Sequence, residues 1–99
     1  MVQIIWTNRA RKDLKQISEY ISLDSVKYAK SQLERIFSKT QILIQLHLAG
    51  KVVNEINNRT IRELIEGNYR IIYRVSNSRE ISILAVHHGA RSLKKRKIK

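Results

Sequence analysis

Ninety-nine residues with a hydrophobic fraction of 42% are enough for one domain around one small core and leave no room for a second. The formal net charge of +12 at pH 7 sets up self-repulsion that an acidic partner would relieve. Cysteine is absent, which excludes disulfides, thiol nucleophiles and cysteine-based zinc sites and agrees with a reducing compartment.

The chain opens with Met1-Val2-Gln3-Ile4-Ile5-Trp6, a short β-prone run without the basic region or apolar stretch of a signal peptide. No segment approaches the roughly 20 apolar residues that span a bilayer, so a soluble, non-secreted, cytoplasmic protein is expected. Thr7 or Asn8 can cap a following helix. Ala10, Leu14, Ile17 and Ile21 then recur at helical spacing, opposite Arg11, Lys12, Lys15 and Glu19. This predicts an amphipathic helix from Asn8 to Ser22.

Leu23-Asp24-Ser25 breaks the pattern and offers a second cap. Val26, Ala29, Leu33, Ile36, Phe37, Thr40, Leu43 and Ile44 mark a longer helix reaching Leu46 or His47. Ala49-Gly50 is the expected C-terminal stop. The two helices form an αα-hairpin. Lys51 to Arg59 reads as a loop, and three β-prone runs follow: Thr60 to Glu66, Tyr69 to Ser76 and Glu80 to His88. Gly67-Asn68 is a hairpin signal, because glycine accepts positive φ at the first central position.

A two-residue turn there pairs Ile65 with Arg70, Glu63 with Ile72 and Ile61 with Arg74 on one face, and Leu64 with Ile71 and Arg62 with Tyr73 on the other. Neither face is cleanly apolar, which calls for a bulge or a partly covered second face. Tyr69, Ile71, Tyr73 and Val75 are assigned to the helix side, leaving Arg70 and Arg74 on the opposite, concave face. The expected architecture is α+β: an N-terminal strand and a two-helix antiparallel hairpin packed on a three- to four-stranded antiparallel sheet. Residues 92–99 form a basic tail, either a mobile end or a phosphate-binding arm.

Serine residues lack a paired His and Asp at triad spacing, and there is no glycine-rich phosphate loop. His87 and His88 are adjacent, so on a strand they point to opposite faces and suit no common metal. No cofactor or metal is expected. A metal-free ribonuclease needs only cations for the phosphorane and an acid–base pair. Arg62, Arg70 and Arg91 could supply the charge, and His88 or His87 the proton transfer.

Ala10-x-x-Asp13-Leu14-x-x-Ile17-x-x-Tyr20-Ile21, Leu48-Ala49-Gly50, Arg62-Glu63-Leu64, Gly67-x-Tyr69-Arg70-Ile71-x-Tyr73-Arg74-Val75 and His88-Gly89-Ala90-Arg91 occur in that order. Together they resemble the RelE/ParE superfamily of type II toxins from toxin–antitoxin modules. The resemblance implies a cognate acidic antitoxin, with a toxin dimer or a toxin–antitoxin hetero-oligomer as the assembly. RelE-like members cleave mRNA on the ribosome, whereas ParE-like members poison DNA gyrase. Arg70, Arg91 and Arg62 match cationic positions of the RelE-like enzymes. No Tyr follows Tyr73, so the C-terminal acid–base role could fall only to His87 or His88, and the helical hairpin with the His-Gly-Ala-Arg ending looks more like the ParE branch. The leading expectation is a gyrase-binding toxin without a full nuclease set; the alternatives are a ribosome-dependent endoribonuclease and a non-toxic basic nucleic-acid-binding module. Arg62, Arg70, Arg74, Arg91, Lys94 and Lys95 are the expected target- or antitoxin-binding residues.

Overall fold

The computed structural model describes residues 2–94 together with Arg96 and Ile98. The chain forms β1 (Gln3–Trp6), α1 (Asn8–Ser22), α2 (Val26–Thr40), a 3-10 helix (Gln41–Ile44), β2 (Lys51–Val52), β3 (Ile61–Glu66), β4 (Tyr69–Asn77) and β5 (Glu80–His88). The sheet order is β1-β5-β4-β3-β2, with β1 parallel to β5 and the other neighbours antiparallel. The α+β architecture is the expected one. The sheet is wider than the three to four antiparallel strands read from sequence, because β1 joins it in parallel and Lys51–Val52 adds a short edge strand to β3.

Helix α1 has the expected limits, and the Thr7 side chain caps it by accepting from the Ala10 N–H. Ser25 caps α2 in the same way through the Tyr28 N–H. Helix α2 stops at Thr40, short of the expected Leu46 or His47. The Thr40 hydroxyl donates to the Phe37 carbonyl at 2.6 Å, a local bond that competes with the helical ladder, and the chain tightens into the 3-10 turn that buries Leu43. Gly50 therefore ends no helix. An added Cβ there would lie 2.5 Å from the Glu63 carbonyl oxygen and 2.7 Å from the Tyr73 hydroxyl, so glycine lets the chain pass over β3 and β4. The Gly50 N–H donates to that buried hydroxyl at 2.9 Å.

The β3–β4 hairpin has the register read from sequence, with Gly67 at φ +58°. The irregularities fall instead between β4 and β5. Ile72 pairs with Ala85 and Tyr73 with Ile83, so Leu84 is an extra residue in β5. That bulge lets Leu84 and Ala85 face one side while Ile83 and Val86 face the other. On the helix side, Ile71, Tyr73, Ile81, Ile83 and Val86 pack with Ala10, Ile36 and Leu43. On the opposite side, Ile61, Ile72, Leu84 and Ala85 pack with Val53 and Ile56 from the β2–β3 connection and with Leu93 and Ile98 from the tail. The second face is thus covered rather than concave and open. Among the described tail residues, Leu93 and Ile98 are buried because the sheet leaves an apolar patch there for them, so this part of 92–99 is packed and not a free end. Lys95 lies outside the described residues.

Tyr73→Phe leaves the Gly50 N–H without its buried acceptor and is expected to cost about 1–2 kcal/mol. Gly50→Ala overpacks the same point and is expected to cost about 1–3 kcal/mol. Urea denaturation checks both, as a lower midpoint at unchanged slope.

Candidate functional site

The apolar stripe of α1 contains an acid: Asp13 lies three residues after Ala10 and four before Ile17. Strand β1 ends at Trp6, where the Thr7 N–H and hydroxyl donate to the Ile83 carbonyl at 3.2 and 2.8 Å. Beyond Ile83 the outer edge of β5 has no strand partner among the described residues, and α1 lies along it. Asp13 Oδ2 accepts from the Val86 N–H at 2.8 Å, satisfying a backbone donor that β1 does not reach. Arg96 Nη2 donates to both Asp13 oxygens at 2.6 Å, which fixes the tail to the helix. Arg96 Nη1 donates to His87 Nδ1 at 3.2 Å, and His87 Nε2 lies 3.0 Å from the Arg91 carbonyl. A guanidinium can only donate and a carbonyl can only accept. His87 therefore carries its proton on Nε2, and both ring nitrogens are engaged.

Between α1 and the end of β5 lies a cleft of about 470 Å³. Ile17, Val86 and Tyr69 give it apolar walls, and Asp13, His88, Arg91 and Arg96 bring charge and hydrogen-bonding groups. His88 Nδ1 accepts from the Ala90 N–H at 3.1 Å, which places the ring proton on Nε2. The His88 ring meets Tyr69 edge-on at 5.4 Å. Burial pushes the Tyr69 phenol up, with smaller contributions from Tyr28 and Tyr20, so it stays protonated at neutral pH. Arg91 is exposed and has no ion-pair partner among the described residues.

The other expected cations do not line this cleft and do not share one groove with each other, although Arg70 and His88 both border a second cavity of about 260 Å³ beside Gly67 and Gly89. Arg70 is on the face away from the helices, where it holds Glu63 through Nε at 2.5 Å and Glu55 through Nη1 at 2.8 Å and Nη2 at 2.9 Å. The Arg70 bonds hold the Glu55 carboxyl down at about 2, and the two carboxylates raise the Arg70 pKa in return. Arg70 is thus neutralised internally and is not the open cation expected from sequence. Arg62 pairs with Tyr73 and so projects to the helix side, where it donates to the Gly50 carbonyl at 2.9 Å and the Arg59 carbonyl at 3.2 Å. Arg74 is half-buried on the face of Arg70 without an ion-pair partner among the described residues. Lys94 is exposed and close enough to Glu55 to lower its pKa slightly.

The expected common surface of Arg62, Arg70, Arg74 and Arg91 is therefore corrected. Strand alternation separates Arg62 from Arg70, and Arg91 lies in the cleft beside α1. Sequence reasoning missed Asp13, Glu55, Glu63 and Arg96 as partners. The legible signal for Asp13 was a carboxylate inside an apolar helix stripe; the pairing of Glu55 with Arg70 had none. No group of three His, Cys, Asp or Glu able to hold a metal occurs among the described residues, and no helix there is long and apolar enough to cross a membrane.

Asp13→Ala strands the Val86 N–H and the Arg96 guanidinium together, and is expected to cost about 2–3 kcal/mol in urea denaturation. Glu55 has a lower pKa in the folded chain, about 2, than its ordinary 4.5. Its contribution to stability is complete above pH 4.5 and is lost as pH falls toward 2. Glu55→Gln is expected to be less stable than wild type at pH 7, with the difference closing across that window in denaturation curves measured at stepped pH.

Comparisons with known proteins agree with this architecture. No curated protein matches the chain. A solved structure of the chromosomal ParDE toxin–antitoxin system from P. aeruginosa aligns with a TM-score of 0.72 at 25% identity, covering 89% of this chain and 96% of that one. The toxin–antitoxin complex RelBE2 from Mycobacterium tuberculosis aligns with a TM-score of 0.58 at 21% identity, covering 88% of this chain and 96% of that one, and shares the fold. The sequence profile of the ParE toxin of the type II toxin–antitoxin system parDE matches residues 4–93. With nearly its whole length matched by that profile, the chain belongs to the ParE toxin family of type II toxin–antitoxin systems.

Proposed function

We propose that this ParE-family toxin arrests growth by binding DNA gyrase, and that a cognate acidic antitoxin neutralises it by engaging the cations that remain unpaired on its surface. The family match supports the gyrase branch, and the state of the nuclease candidates carries the choice between the two targets. Both nitrogens of His87 are engaged, His88 retains only Nε2, and Arg70 is neutralised by Glu55 and Glu63. A phosphorane-stabilising cation needs free charge aimed at the phosphate, and two bound carboxylates oppose that role. These observations favour action by binding over cleavage of mRNA. With gyrase and an antitoxin as partners, the activity is cytoplasmic.

Arg62, Arg74, Arg91 and Lys94 have no ion pair among the described residues; Arg62 is held by two backbone carbonyls, which leaves Arg74, Arg91 and Lys94 as the cations best placed to meet a partner. The family match and the similarity to the ParDE toxin–antitoxin system support a neutralising partner here as well. The net charge of +12 favours an acidic one.

A gyrase supercoiling assay with purified toxin tests the reading. The expected result is loss of supercoiling that returns when the antitoxin is added. Unchanged supercoiling at high molar excess, with growth still arrested in cells, contradicts it. Messenger RNA cut in the ribosomal A site of those cells would establish the endoribonuclease reading instead. Continued growth with salt-sensitive duplex binding would point to a non-toxic nucleic-acid-binding module.

A further inference from the structure

We infer that the cleft between α1 and the end of β5 is the socket for an acidic side chain of the antitoxin, with Arg91 and His88 as its recognition pair; this deepens, and rests on, the antitoxin reading above. The charge balance of the cleft points to an anion. Its one carboxylate, Asp13, already accepts from the Val86 N–H and from Arg96 with both oxygens, so its charge is matched within the fold. The Arg91 guanidinium has no ion-pair partner among the described residues. The His88 Nε2–H is left to donate, because Nδ1 is held by the Ala90 N–H. A carboxylate entering here meets one permanent cation and one directed donor over a wall of Ile17, Val86 and Tyr69.

The same geometry disfavours nucleic acid. Single-stranded nucleic acid binding draws on open aromatic faces for stacking and on a run of cations along the backbone. Tyr69 is only 8% exposed with its ring engaged edge-on by His88, which leaves Tyr20 as the single open aromatic of the cleft, and Arg96 is matched to Asp13, so the cleft offers neither a series of stacking faces nor a run of unpaired cations. One unpaired guanidinium beside an apolar wall suits a single Asp or Glu flanked by an apolar residue. An apolar neighbour also has a place to lie. Tyr20 and Leu23, three residues apart on the end of α1, are 74% and 81% exposed, and Tyr20 lines the cleft. An acidic segment with an apolar anchor one helical turn from its carboxylate would cover both.

The test is the affinity of the toxin for its co-expressed antitoxin, measured by surface plasmon resonance after separation and refolding. Arg91→Glu is expected to raise Kd at least tenfold and to flatten its salt dependence. Lys30→Glu, an equal charge reversal on the exposed side of α2, is expected to change Kd less than twofold. Thermal melting of both variants against wild type establishes that they fold. An Asp/Glu→Lys scan of the antitoxin should contain one variant that restores binding to Arg91→Glu and weakens binding to wild type, which would identify the entering carboxylate. Unchanged affinity for Arg91→Glu overturns the site while leaving the antitoxin reading standing. Absence of any complex with wild type overturns that reading and this site together. A single-stranded 12-mer RNA that binds wild type, loses binding on Arg91→Glu and leaves antitoxin affinity unaffected would assign the cleft to nucleic acid and overturn the proposal.

Discussion

One carboxylate joins three parts of this molecule that have little sequence in common. Asp13 on α1 accepts a backbone N–H from β5 and a guanidinium from the tail, so it links helix, sheet edge and C-terminal segment. The reason lies in the sheet topology. Strand β1 pairs with only the first half of β5, and the chain then turns into α1. An exposed strand edge invites unwanted pairing, and here a side chain closes part of it. The consequence reaches further than the edge. Arg96, held by Asp13, sits between Leu93 and Ile98, and those two residues cover the sheet face that the helices leave open.

The distribution of charge follows the same economy. Of the eight acids, three are placed where they hold two arginines: Glu55 and Glu63 on Arg70, and Asp13 on Arg96. Pairing with Glu55 and Glu63 offsets the desolvation of Arg70 beside Ile72, whereas Arg74, nearer the end of the same face, keeps its charge without an ion pair among the described residues. The excess positive charge is displaced to positions such as Arg91 and Lys94, which are exposed. A ParE-family chain built this way keeps its interior balanced and leaves unpaired cations at its surface.

Much of the fold was legible from the residues. The stripe of Ala10, Leu14, Ile17 and Ile21 defines α1, and Gly67-Asn68 fixes the β3–β4 register, because both are local signals. The end of α2 was not legible. The apolar spacing continues through Leu43 and Ile44, while the Thr40 hydroxyl and the burial of Leu43 redirect the backbone. Nor was the covered second face, although the mixed character of Arg70, Ile72 and Arg74 called for one. Its lid comes from Val53, Ile56, Leu93 and Ile98, isolated apolar residues in segments that read as polar loop and tail. The candidate site was legible as residue types and not as an arrangement. His88 and Arg91 do meet in one cleft, but Arg62 and Arg70 are parted by strand alternation, and Arg70 is claimed by Glu55 from fifteen residues upstream. Long-range ion pairs leave no periodic trace in a single sequence.

The central claim is that Asp13 closes the β5 edge and, through Arg96, seats the tail. Native-state hydrogen exchange of the Val86 amide in Asp13→Ala, which removes the acceptor, compared with wild type, tests it most directly. The account predicts that Val86 exchanges at least about tenfold faster, that the Arg96 amide, which donates to the Leu93 carbonyl, gains exchange with it, and that amides in the centre of β4 stay protected. Unaltered protection at Val86, or faster exchange there with the tail unaffected, would contradict it.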